Sequence, residues 1–123
     1  MQLINDFYRV ETATGGDTEF EYRIALNREH FIYRAHFPGN PITPGVCIIQ
    51  LCKELMELRV KKPLFLKKIL NVKFLSVVDP TIFGAIQVAF SKVAISENGC
   101  AFSAAVHSGA TQLAKLSLAA TIL

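Results

Sequence analysis

The stretch His36-Phe37-Pro38-Gly39-Asn40-Pro41-Ile42-Thr43-Pro44-Gly45-Val46-Cys47-Ile48-Ile49-Gln50 decides the fold. Three prolines and two glycines crowd its first ten residues and fix a rigid, loop-like path. The chain then enters an apolar run that reads as a helix. Pro44 suits the first helical position, where its missing N–H would be unpaired anyway, and Thr43 before it is a good N-cap. Gly45 leaves the start of the helix bare of side chain. One titratable imidazole, His36, is thus expected near a helix N-terminus whose amides are unpaired and whose dipole end is positive. Such a place can hold a carbonyl and move a proton.

Working outward, the helix is expected from about Pro44 to Leu58. Its first half is apolar nearly all round and should be buried on most sides. Gln50, Lys53, Glu54 and Glu57 form one polar stripe along it. Glu54 is expected to make a helix-surface ion pair; Gln50, set in the most apolar part, is expected to face a pocket. Arg59, Lys61 and Lys62 follow, where cations complement the helix dipole, and Pro63 prevents continuation.

Upstream, residues 2–10 read as a modest strand, with a turn around Gly15-Gly16-Asp17. In residues 18–27, Phe20, Tyr22, Ile24 and Leu26 alternate with Glu19, Glu21 and Arg23, which marks a half-buried strand. Residues 27–35 read as a connector. Downstream, 64–78, 81–95, 100–108 and 111–123 are strand-rich runs punctuated by Asp79-Pro80, Glu97-Asn98-Gly99 and Ser108-Gly109-Ala110. One long helix with five or six antiparallel strands makes an α+β domain, its sheet wrapped around the helix.

Composition narrows the function classes. The 123 residues form one domain, and a hydrophobic content of 51% implies a deeply buried central element or a surface lost to a partner. A net charge of +3 without a clustered basic stripe is no nucleic-acid signature. Cys47, Cys52 and Cys100 match no zinc spacing and read as small buried hydrophobes of a reducing compartment. No apolar run is long enough to span a membrane, and the N-terminus lacks a signal-peptide pattern, so a cytoplasmic chain is expected. No metal and no cofactor are expected.

The motif HFPGNPITPGV resembles the active-site motif of the 3-hydroxyacyl-acyl-carrier-protein dehydratases, whose fold is the hotdog. That motif reads His-Phe-Pro-Gly-x-Pro-x-x-Pro-Gly-Val, with a catalytic carboxylate at the place of position 50 here. LNREHFIYRAHFPG resembles the family's approach to the motif, and NVKFLSVVDPTIFGAIQV its later strand pair. The similarity runs in order over roughly residues 18–123.

The resemblance implies a single hotdog domain over 1–123 and a dimer, homomeric or with another hotdog subunit, whose sheets join and whose sites lie at the interface. It implies an acyl thioester on acyl carrier protein or coenzyme A as substrate. His36 would abstract the α-proton of a 3-hydroxyacyl thioester, the Gly45 amide would polarise the thioester carbonyl, and Gln50 would position the hydroxyl or a water. Phe37, Pro38, Gly39, Pro44 and Val46 would line the substrate path. Arg59, Lys61, Lys62, Lys67 and Lys68 are either a solvated face or a docking patch for the acidic carrier.

The sequence departs from the family at Gln50, since an amide cannot release a proton to a departing hydroxyl. The family's Pro-His-Arg-Tyr-Pro-Phe-like stretch is not found, Ala35 precedes the motif histidine, and Phe83-Gly84-Ala85 replaces a Pro-Gly-Asp pattern. Three functions follow in order: a dehydratase acting in fatty-acid or related lipid or polyene biosynthesis, a degenerate subunit that binds acyl chains or pairs with an active dehydratase, and an acyl thioesterase.

Overall fold

The computed structural model describes residues 2–36 and 38–123. Six antiparallel strands, β1 (Tyr8–Gly15), β2 (Phe20–Leu26), β3 (Leu64–Phe74), β4 (Ala85–Ile95), β5 (Gly99–Ser108) and β6 (Thr111–Ile122), form one sheet in the order β1-β2-β4-β5-β6-β3. A short helix α1 (Phe31–His36) and the long helix α2 (Gly45–Val60) lie between β2 and β3 in sequence. This is the α+β hotdog arrangement.

Alternation explains which face meets the helix. Phe20, Tyr22, Ile24 and Leu26 of β2 are buried, as are Ile86, Val88 and Phe90 of β4 and Phe102, Ala104 and Val106 of β5. They form one core with Cys47, Ile48, Leu51, Cys52, Leu55 and Met56 of α2. The three cysteines are buried, and burial pushes their thiols up, that of Cys52 to about 12. They pack as apolar groups, not as nucleophiles.

Several local expectations are corrected. The strand expected at 2–10 begins only at Tyr8, because Asn5 takes a left-handed φ of 70° and folds the chain back, with Phe7 N–H on the Leu3 carbonyl at 2.7 Å. The connector before His36 contains α1, which is too short to show a helical period. Thr43 does not cap α2. Pro44, extended at φ −61° and ψ 143°, is the N-cap and Gly45 the first helical residue, while the Thr43 hydroxyl bonds that of Tyr33 at 3.0 Å.

The polar stripe of α2 is held by the protein itself. Lys53 donates to the Leu64 carbonyl at 3.2 Å, and Glu57 accepts from Leu64 N–H at 2.8 Å, so both brace the start of β3. Glu54 makes no surface ion pair. It is 3% exposed and accepts four hydrogen bonds, described below.

Candidate active site

His36 closes α1, and the turn through Gly39 (φ +78°) leads to the start of α2. Two anchors hold this path. The Thr43 N–H donates to the Val78 carbonyl at 2.9 Å, and the Tyr33–Thr43 hydroxyl bond ties it to α1. Tyr33 is stacked on Phe7, and its burial pushes its phenol up to about 12 despite the opposing Thr43 bond.

α1 itself is set by His30. Its buried ring accepts the Ile32 N–H at Nδ1 (3.1 Å), so Nε2 carries the proton that faces the Asp6 carboxylate at 3.1 Å. The ring stacks on Phe31 and meets the edge of Phe7. His30 is therefore a pin for the element that carries His36.

At the other side of the path, no side chain among the described residues caps α2, whose Cys47 N–H donates to the Pro44 carbonyl at 3.0 Å. Gly45 lets the Phe74 ring approach closely there, since a Cβ would lie 2.6 Å from Cζ of Phe74 and the ring would have to move. The Phe74 ring, at the end of β3, thus packs on the bare helix start. A cleft of about 380 Å³ opens beside it, with Gly45, Ile42, Ile48, Phe74, Leu75 and Val77 in its walls. It is apolar enough for an acyl chain, and a carbonyl placed at its helix end meets the positive pole of the dipole.

The other expected residues are distributed as follows. His36, Pro38 and Gly39 are exposed, Pro44 is buried and Val46 is 57% exposed. Phe37 lies outside the described residues. Gly39 lines a second cleft with Arg28, Tyr33, Arg34 and Pro41. Gln50 is half-buried, one turn beyond Val46 on the same side of α2. Its amide Nε2 donates to Glu54 Oε2 at 2.8 Å.

Glu54 is the residue that sequence reasoning missed. Its Oε2 also accepts the Leu3 N–H at 2.7 Å, and its Oε1 accepts the Ile4 N–H and the Tyr8 hydroxyl, each at 2.9 Å. Burial, then the Glu54 charge, push the Tyr8 phenol far above the ordinary tyrosine range. The available signal was Glu54's position between buried Leu51 and Leu55 in helical phase, which a surface ion pair does not need.

The five basic residues lie on different elements. Arg59 lies over the Phe20 ring at 4.4 Å, bonds the Gly16 carbonyl and pairs with Asp17 at 3.6 Å, which fixes it on the β1–β2 hairpin. Lys61 and Lys62 line a cleft at the end of α2, and Lys67 and Lys68 stand on β3. Among the described residues no cluster of three His, Cys, Asp or Glu is placed to hold a metal. Among the described residues no helix is long and apolar enough to cross a membrane.

The sequence matches the ApeI-like family model, described as ApeI dehydratase, over residues 12–115. The chain belongs to the ApeI-like dehydratase family. Among solved structures it is similar to the dehydratase heterocomplex ApeI:P from Xenorhabdus doucetiae, at 16% identity and TM-score 0.69, covering 91% of this chain and 96% of that one. An uncharacterized protein from Erwinia carotovora subsp. atroseptica gives 17% identity and TM-score 0.64, with 93% and 95% covered. A hypothetical thioesterase with coenzyme A from Streptococcus pneumoniae TIGR4 gives 10% and 0.64, with 94% and 85% covered. These likenesses carry the fold; no curated protein matches the sequence.

Proposed function

We propose that this ApeI-like chain dehydrates 3-hydroxyacyl thioesters, carried on acyl carrier protein or coenzyme A, to trans-2-enoyl thioesters. The observation that carries the reading is the match to the ApeI-like dehydratase model over residues 12–115, a span that includes the motif from His36, the last residue of α1, to Gly45, the first residue of α2. His36 removes the C2 proton while the Gly45 amide stabilises the charge that develops on the thioester oxygen. The C3–O bond then breaks, C2=C3 forms, and the hydroxyl leaves as water with the proton that His36 holds. One imidazole serves as base and then acid, which removes the need for a carboxylic acid at position 50.

In that scheme Gln50, whose amide nitrogen donates to Glu54 Oε2 at 2.8 Å, positions the departing 3-hydroxyl or a water. The second reading, an acyl-binding partner subunit without turnover, is favoured by the same amide. Pairing with another hotdog subunit is part of both. β3 is an edge strand, and Phe65, Ile69, Leu70 and Phe74 on it are each at least half exposed. A long apolar edge of this kind calls for a strand partner.

The test supplies purified protein, alone and with a candidate partner subunit, with 3-hydroxyacyl and enoyl thioesters of several lengths. Enoyl absorbance and free thiol are followed together. Interconversion without thiol release supports the dehydratase. Thiol release alone assigns a thioesterase, and silence relieved only by Gln50→Glu assigns the partner subunit.

A further inference from the structure

The open face of the sheet, turned away from α2, has a charge pattern that the proposed dehydration does not use. Strands β3, β4, β5 and β6 contain no Asp or Glu, and they carry Lys67, Lys68, Lys73, Lys92 and Lys115. Across them runs one polar row, because Ser91 pairs with Ser103, Ser103 with Ser117, and Ser117 with Asn71. Directly paired residues point to the same side, so the row presents three hydroxyls and an amide together. The Ser103 and Ser117 hydroxyls are 3.0 Å apart. One donates to the other, and the second hydroxyl's proton is then directed elsewhere.

The row lies in a hollow of about 350 Å³ whose walls include Lys92 and Lys115. Two irregularities flank it: the register of β4 shifts between Ser91 and Ala94, and that of β3 between Ile69 and Asn71. At the first, Lys92 holds a left-handed φ of 52°, a costly conformation for a side chain of this type. Bulges re-aim side chains, and here one places a lysine next to Ser91, at the end of a row of hydroxyl donors.

We propose that this hollow binds a phosphate-type oxyanion, with Lys92 and Lys115 supplying charge and Ser91, Ser103, Ser117 and Asn71 supplying oriented donors. Donors without a competing carboxylate fit an acceptor-only ligand. The site lies across the sheet from Gly45, so it stands independently of the dehydration reading.

Titration of the labelled protein with inorganic phosphate, followed by amide NMR against potassium chloride at matched ionic strength, tests it. Saturable shifts confined to Ser91, Ser103, Ser117 and Asn71 are expected. Lys92→Gly with Lys115→Ala should weaken binding about tenfold or more. Lys92→Gly alone should leave the melting temperature unchanged or raised, because glycine accepts the left-handed backbone, which separates lost binding from lost fold. Adenosine 3′-monophosphate distinguishes the source: tighter saturation assigns an organic phosphate ester, equal saturation the free ion. Shifts spread over all lysines and reproduced by chloride, or a full response in the double variant, overturn the proposal.

Discussion

The Gln50 amide nitrogen donates to Glu54 Oε2 at 2.8 Å, one helical turn away. That bond joins Gln50 to a buried carboxylate which also holds Leu3, Ile4 and Tyr8. Glu54 therefore orients Gln50 and ties the first residues to the central helix at once.

Removing that carboxylate should cost more than removing a surface charge. Glu54→Ala leaves two backbone N–H groups and the Tyr8 hydroxyl without their acceptor, a loss of about 3 kcal/mol. Glu57→Ala, which frees a single N–H, should cost about 1 kcal/mol. Urea unfolding of the two variants checks the difference; equal midpoints would deny Glu54 its anchoring role.

A second carboxyl beside Glu54 should behave as one of a like-charged pair. Gln50→Glu replaces a donor by an acceptor 2.8 Å from Oε2, so the pair is expected to retain a proton well above the ordinary carboxylate range. The new group's folded pKa is raised. Its penalty relative to wild type should then be largest at neutral and alkaline pH and shrink as the pH falls. Thermal melts of both proteins from pH 5 to pH 8 test this, and a pH-independent difference would contradict it.

The tyrosines make a separate prediction at high pH. The phenols of Tyr8, Tyr22 and Tyr33 are all raised, first by burial, and these are the chain's three tyrosines. With folded values above the unfolded one, stability is undiminished below about pH 10 and falls as the pH rises from there through the folded values. Tyrosinate absorbance should appear together with the loss of circular dichroism, not before it. A phenol that titrates near pH 10 in the folded protein would show that its burial is misassigned.

Gly45 and Phe74 should be coupled. A Cβ at position 45 meets the Phe74 ring at 2.6 Å, so Gly45→Ala should displace the half-exposed ring at a cost of about 1 kcal/mol. Phe74 is half exposed, and in a Phe74→Ala background the same change should cost much less. Additive effects in that double-mutant cycle would break the contact.

How far the sequence reaches can be argued from these residues. The alternation of Phe20 to Leu26 placed β2 and its buried face, since a half-buried strand writes its period directly into the chain. Proline and glycine spacing located α2 to within two residues. Tertiary contacts hid the rest. Leu3, Ile4 and Phe7 look strand-like, yet the turn at Asn5 packs them beneath Glu54. Thr43 has the chemistry of a cap but is drawn to Tyr33, and a charge such as Glu54 reads as surface until its four donors are in place. The polar row on the open face was equally illegible, because Ser91, Ser103, Ser117 and Asn71 become neighbours only through strand register.

The central claim is that His36 moves the C2 proton of a 3-hydroxyacyl thioester. Incubation in D₂O with the partner-complemented protein, followed by mass analysis of C2, reads that step directly. The account predicts deuterium at C2 in the wild type and a loss of about 10²–10⁴ in rate for His36→Ala. Circular dichroism of His36→Ala shows whether the variant is folded, so that lost exchange is read apart from lost structure. Undiminished exchange in a folded His36→Ala variant would contradict the claim.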